Sequence, residues 1–260
     1  MRITVHSENM ETQQIINKLT ELRKSCPMSN VYTMDVAARA TEIWEENDGL
    51  LFAYEDHGIS RIGFQVRDWD VLHRLLQQVR GRRYLEILTR DGDARIPGME
   101  MEARLKRLVN SNCATALEDP KLLPYRDDAV NMTAVPADAP EINRLLWSVF
   151  KTEISHLPWE DEIVETIKHG QLAIHRSERI DAVLLTDVKP KKFYINQILN
   201  LGERKNIHAM LINRLRQYAD QGGKYLYAWV EENNVASLKF HEKYGMRHDG
   251  MWTVLWSMER

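Results

Sequence analysis

The chain has 260 residues, enough for two domains of ordinary size or one large one. Its 43% hydrophobic residues can bury a substantial core, and its 28% charged residues keep the surface in water. A formal net charge of −3 gives no general attraction to nucleic acid or to an anionic membrane, so neither is an expected partner.

Residues 10–25 place Ile15, Ile16, Leu19 and Leu22 at helical spacing, which predicts a surface helix. A second helix is predicted over 36–46, stopped by Asn47-Asp48-Gly49. Strands follow over 50–54 and 60–66, separated by the tight turn Asp56-His57-Gly58. Residues 71–79 read as an amphipathic helix, 84–88 as a short strand, Asp91-Gly92-Asp93 as a turn and 99–109 as a further helix. Over 111–128 the periodicity lapses. Asp119-Pro120, Pro124 and Arg126-Asp127-Asp128 mark this stretch as the connection between two domains, 1–125 and 126–260.

A strand is predicted over 130–135. Asp138-Ala139-Pro140-Glu141 then opens a helix that runs to Phe150, with Asp as cap and Pro and Glu in the first turn. After Leu157-Pro158 comes a short helix over 160–168, stopped at His169-Gly170, then strands over 171–176, 180–187 and 193–199. A long helix over 205–220 carries Ile207, Met210, Leu211, Leu215 and Tyr218 on one face and ends at Gly222-Gly223. A strand over 225–230, a helix over 235–244 stopped at Gly245, and a strand over 252–258 complete the chain.

The two halves share this order and read as a repeat. Asn47-Asp48-Gly49-Leu50-Leu51 and the hairpin to Arg61-Ile62 parallel His169-Gly170-Gln171-Leu172 and the hairpin to Arg179-Ile180. Helix 71–79 followed by Arg83-Tyr84-Leu85-Glu86-Ile87 parallels helix 205–220 followed by Lys224-Tyr225-Leu226-Tyr227-Ala228. Ala103-Arg104-Leu105-Lys106 then parallels Ala236-Ser237-Leu238-Lys239.

The opening MRITVHSENMETQQ lacks the apolar segment of a secretory leader, and no stretch approaches the length of a bilayer span. Cys26 and Cys113 match no disulfide framework or metal spacing, and the nine histidines form no HExxH or CxxC-type set. Reduced thiols in a cytoplasmic protein without a metal site are the expectation.

The most informative string is YAWVEENNVASLKFHEKYGM, residues 227–246: a strand, an Asn at the next helix's cap, a small residue three places on, an aromatic pair, and Lys-x-Gly. This string, following a strand–long helix–strand unit, resembles the late signature of the GNAT superfamily of acyl-CoA-dependent N-acyltransferases over residues 131–260. The resemblance implies an α/β (α+β) fold of two GNAT-like domains. Each would be a mixed, mostly antiparallel sheet flanked by helices, and the N-terminal copy would be non-catalytic. It implies acetyl-CoA as cosubstrate and a small-molecule or peptide amine as acceptor. Asn234 and Ser237 take the family's Asn and small-residue places, with Asn233 and Ala236 as the competing register. Met246 replaces the usual Phe.

The same resemblance places a pyrophosphate turn before the long helix, where glycines normally let main-chain N–H groups approach the anion. The aligned residues here are Arg204, Lys205, Asn206, Ile207, His208 and Ala209, with Asn206 and His208 where glycines are expected. Asn206 could keep the turn by adopting left-handed backbone, while Arg204 and Lys205 supply cations. The main chain at Ile198, Leu199 and Asn200 would polarise the thioester carbonyl. His241 stands where the family often has the Tyr that protonates the departing thiolate, and imidazole can fill that role at neutral pH. Candidate acceptor-side residues are Glu153, His156, Glu160 and Asp161, and one of Asn196 and Gln197 should face the cleft. No Cys or Ser has a nucleophile context, so direct attack in a ternary complex is expected. The competing readings are a non-catalytic binding module, an aminoacyl-tRNA-dependent transferase and a transferase of longer acyl groups. In the N-terminal half, Gln65-Val66-Arg67-Asp68-Trp69-Asp70 has no glycine and two acids, which would repel a pyrophosphate. Trp229, Phe240, Tyr244, Trp252 and Trp256 are expected mainly to pack, with Trp252 and Trp256 on one side of the closing strand.

Overall fold

A computed structural model of the chain describes residues 4–7, 12–32, 34–93, 95–125 and 133–259. In chain order its elements are β1 (Thr4–Ser7), α1 (Thr12–Leu22), β2 (Met28–Ser29), β3 (Ala40–Glu46), β4 (Gly49–Asp56), β5 (Ile59–Val66), α2 (Trp69–Leu76), β6 (Arg83–Thr89) and β7 (Glu100–Asn110). There follow α3 (Cys113–Leu117), α4 (Ala139–Val149), α5 (Thr152–Ser155), α6 (Glu160–Lys168), β8 (Leu172–Arg176), β9 (Ile180–Lys189), β10 (Lys192–Asn200), α7 (Arg204–Asp220), β11 (Tyr225–Glu231), α8 (Val235–Glu242) and β12 (Arg247–Met258). Two compact units emerge, Met1–Arg104 with Trp252–Arg260, and Leu105–Met251. A division at 125/126 would fall inside the second.

In the first unit the strands lie in the order β1-β3-β4-β5-β6-β12. The β4–β5 turn is made by His57 and Gly58, both at positive φ, which lets the strands pair from Gly49↔Val66 to Asp56↔Ile59. β5 and β6 run parallel, joined by α2, whose Val71, Leu72, Leu75 and Leu76 are buried on the sheet. The last strand comes from the far end of the sequence. Trp252–Met258 pairs antiparallel with β6, Trp252 opposite Thr89 and Met258 opposite Arg83, and puts Val254, Trp256 and Met258 into the core around Leu51, Phe64 and Leu75. Trp252 packs against that core and lies under the Arg104 guanidinium at 5.3 Å.

The second unit has the order β7-β11-β10-β9-β8, with Leu105–Asn110 of β7 pairing β11 antiparallel. β9 and β10 form a hairpin, β10 and β11 are parallel, and α7 crosses between them with Ile207, Met210, Leu211, Leu215 and Tyr218 buried. At its end Gly223 has no side chain for a reason: a Cβ there would stand 2.3 Å from the Tyr218 ring. Each unit is thus a mixed, mostly antiparallel sheet with helices against it, as expected.

Three expectations are corrected. Residues 40–46 are strand β3, preceded only by a 3-10 turn at Met34–Arg39, and residues 100–110 are strand β7, where helices were predicted. Residues 40–46 carry Ala and three Glu, and residues 100–110 carry Glu, Met, Ala, Arg, Leu and Lys, all of which favour helix. Sheet pairing outweighs that preference, of order 0.5 kcal/mol per residue. The repeat register also shifts by one strand: β3, β4 and β5 correspond to β8, β9 and β10. Ala103–Lys106 lies on a strand while Ala236–Lys239 lies on α8, so that parallel fails. Finally, 111–125 is packed structure. α3 and a 3-10 turn at Pro120–Tyr125 bury Cys113, Ala116 and Leu122 against α7. Residues 126–132, including part of the expected strand 130–135, lie outside the described residues; Thr133 forms a single bridge to Ala173.

Candidate active site

The parting of β10 from β11 makes the site. The two parallel strands are paired from Lys192↔Tyr225 to Ile195↔Ala228. A bulge then follows between Ile195 and Gln197. Beyond it β10 stays with β9, Gln197 opposite Leu185 to Asn200 opposite Ala182, while β11 continues on β7 from Trp229↔Arg107 to Glu231↔Leu105. A bulged strand bends and twists away from its neighbour. The stretch Ile198, Leu199 and Asn200 therefore leaves its parallel partner, and its edge toward β11 carries no strand pairing among the described residues.

The connection from this strand to α7 is fixed by Asp181. Its carbonyl accepts from the Leu201 N–H at 2.7 Å and the Gly202 N–H at 3.1 Å. A Cβ on Gly202 would sit 2.8 Å from the Asp181 carboxyl, so a larger residue here must push that carboxylate or the loop aside. The Asp181 carboxylate also accepts from the Ser177 hydroxyl at 3.2 Å and lies 2.5 Å from His175 Nδ1. Asn206 Nδ2 is 3.2 Å from that same ring nitrogen. Sequence reasoning missed His175 and Asp181, because a His and an acid six places apart acquire meaning only once the β8–β9 hairpin brings them together.

α7 begins at Arg204 after Glu203, which is extended and offers no side-chain cap. The helix end thus presents partial positive charge, with the Asn206 N–H on the Glu203 carbonyl at 3.0 Å and no cap from the Glu203 side chain, beside the exposed Arg204 and Lys205. Lys205 is 3.2 Å from the Glu203 carboxylate. Asn206 does not supply a left-handed turn; it is helical, buried and turned to His175. Ile207, His208 and Ala209 follow in the helix with buried side chains. An anion at this helix end would meet the main chain and the side chains of Arg204 and Lys205, not those later side chains.

His208 lies in a box of rings. It stacks on Tyr125 at 4.4 Å and Phe240 at 4.7 Å, and its Nδ1 is 2.8 Å from the Tyr244 hydroxyl. Burial, with Lys243 and Arg204 nearby, holds its pKa down at about 4. Tyr244 is equally enclosed, and burial raises its pKa well above the usual phenol value.

The Asn234 string folds as a capped helix. Asn234 accepts from the Ser237 N–H at 3.0 Å, which starts α8, and Gly245 at φ 66° ends it. Asn234 is exposed and Ser237 half-buried. His241 is buried on this helix. Its Nδ1 lies 2.8 Å from the Ser237 carbonyl, so it must carry the proton donated there, and its Nε2 has no hydrogen-bond partner among the described residues. Burial lowers its pKa to about 4, against a smaller opposing effect of the Ser237 carbonyl. At neutral pH this imidazole is uncharged with a bare Nε2, a proton acceptor. That state is the reverse of the donor expected at this place.

On β10, buried Gln197 donates from Nε2 to the Ser155 carbonyl at 3.0 Å, while Asn196 is exposed. His156 follows in left-handed backbone, φ 39°. Glu153 is half-buried, and Glu160 and Asp161 are exposed in the first turn of α6. Beside them Trp159 stacks on Trp147 with ring centres 4.7 Å apart, and the Trp147 indole donates to the Pro158 carbonyl. Among the described residues no group of three or more His, Cys, Asp or Glu is placed to hold a metal ion, and no helix is long and apolar enough to cross a membrane.

No protein-family model and no curated protein matches the sequence. Solved structures do match the fold. A tandem GNAT protein from the clavulanic acid biosynthesis pathway aligns with a TM-score of 0.56 at 11% identity, covering 99% of this chain and 98% of that one. A GCN5-related N-acetyltransferase from Sphaerobacter thermophilus gives 0.57 at 12%, covering 99% and 95%. A GNAT-family acetyltransferase from Colwellia psychrerythraea gives 0.55 at 12%, covering all of both chains. At such identities the likeness is one of fold, and it extends over the whole length, including the N-terminal unit. The fold of this chain is that of the tandem GNAT proteins.

Proposed function

We propose that the second unit transfers an acyl group, most simply acetyl, from CoA to a primary amine. The observation that carries this reading is the release of β10 from β11 beyond Ile195, directly before a helix whose N-terminus no side chain caps. An extended, amide-bearing thioester fits along the released edge at Ile198, Leu199 and Asn200. Its pyrophosphate fits at the first turn of α7, with Arg204 and Lys205 as counter-charges. Glycines are not needed for that contact here, because the loop through Leu201 and Gly202 is already held by Asp181.

The reaction is direct. The amine nitrogen attacks the thioester carbonyl carbon, the carbon–sulfur bond breaks, and the amine proton is lost as the thiol is formed. Main-chain N–H groups near Ile198 stabilise the oxyanion. By the resemblance His241 is the proton-transfer residue in this scheme, and its buried Nε2 takes the amine proton only where the bound substrates reach it. Asn234 and Ser237 anchor the helix that carries it.

Isothermal titration of the full chain with acetyl-CoA tests the reading. Binding in the micromolar range followed by turnover of an amine panel is expected. No heat at high micromolar protein would remove it, and binding without turnover on any amine would assign a ligand-binding module.

A further inference from the structure

The first unit repeats the same arrangement, β5–α2–β6, and the chain fills it with its own residues. β5 and β6 are paired at Arg61↔Tyr84 and Ile62↔Leu85, after which the strands part. Into the parting runs β2, Met28 opposite Val66 and Ser29 opposite Gln65. The Asn30 carboxamide then spans the gap. Its Nδ2 donates to the Ile62 carbonyl on β5 at 2.8 Å and to the Glu86 carbonyl on β6 at 3.0 Å, and its Oδ1 accepts from the Phe64 N–H at 2.7 Å. The Phe64 carbonyl accepts from the Asn30 N–H at 3.3 Å and from the Ser29 hydroxyl at 3.0 Å. Gln65 Nε2 donates to the Cys26 carbonyl. In the second unit β10 has no strand pairing with β11 beyond Ile195, whereas here the main-chain groups at the parting are satisfied internally.

The helix end is filled as well. The Asp68 carboxylate accepts from the Val71 N–H at 3.0 Å, capping α2, and pairs with Arg67 Nε at 2.8 Å. A carboxylate already occupies the place where a pyrophosphate would have to sit. Glu203 makes no such cap on α7.

We propose that residues 26–31 are the resident occupant of the β5–β6 cleft, so that the first unit takes no acyl-CoA and each chain carries one coenzyme site. The count of sites rests on the function proposed above; the occupancy does not, and the two are tested separately. Residue-resolved hydrogen exchange on the full wild-type chain, without coenzyme, should find the Phe64 amide as protected as those of the β4–β5 ladder. Exchange there at the rate of an open strand edge would overturn the proposal. In Asn30→Ala the Phe64 amide should exchange about 10-fold faster relative to the β4–β5 amides, and an unchanged ratio would count against Asn30 as the bridge. Calorimetry should give one acetyl-CoA per chain, and two would overturn the proposal. No binding at all would sink the proposed function instead, with occupancy still decided by the Phe64 amide.

Discussion

His208 and His241 titrate near 6.5 when exposed and are held at about 4 in the folded protein, in both cases chiefly by burial. Between those values the unfolded chain binds protons that the folded chain does not. Stability therefore falls as pH drops from about 6.5 to about 4, and is regained as pH rises through the same window. Urea midpoints measured across pH 4–7 should follow that slope. His208→Phe, which keeps the ring stack with Tyr125 and Phe240, should remove about half of it. Two further replacements separate chemistry from binding. His241→Gln should lower turnover about 100-fold with acetyl-CoA affinity little changed; unaltered turnover would exclude proton transfer through Nε2. Arg204→Glu should weaken acetyl-CoA about 10-fold, a charge reversal at a helix end being worth about 1 kcal/mol. Equal affinity would place the pyrophosphate elsewhere.

Among the elements, the loop between β10 and α7 depends on one missing side chain. Gly202→Ala puts a methyl 2.8 Å from the Asp181 carboxyl and must shift either that carboxylate or the segment that the Asp181 carbonyl holds through Leu201 and Gly202. Weaker acetyl-CoA binding with an undisturbed urea midpoint is expected, read by calorimetry and denaturation together. The long helix, both hairpins and the capped helix at Asn234 were legible because each has a local cause: apolar spacing, a turn dipeptide, a cap. Strands β3 and β7 were not, since the preference of Ala, Glu and Arg for helix is cancelled by pairing with strands remote in sequence. Misreading β3 also displaced the repeat by one strand, which hid the equivalence of β5–α2–β6 with β10–α7–β11. Asn30 gave no signal at all: a side-chain amide that replaces three main-chain hydrogen bonds cannot be told from any loop asparagine. The candidate site was readable where it depends on the Asn234–Gly245 string, and unreadable where it depends on a bulge, a carbonyl of Asp181 and the rings around His208.

At the scale of the whole molecule, the first unit is completed by Trp252–Met258, which contributes Val254, Trp256 and Met258 to its core. A chain ending at Met251 loses that strand and should expose Leu85, Ile87 and the rest of β6. With each lost large side chain worth roughly 1.5–3 kcal/mol, the first unit should no longer fold cooperatively. Rapid hydrogen exchange throughout β4–β6 would register this, and full protection in the truncated chain would show the strand to be dispensable. The same pairing joins residues far apart in the sequence, since Met258 lies opposite Arg83. During synthesis, β6 must therefore wait with an open, apolar edge while the whole second unit is made. The earlier half of the polypeptide becomes the later one to finish folding, and that interval is when it is most exposed to aggregation and most in need of a chaperone.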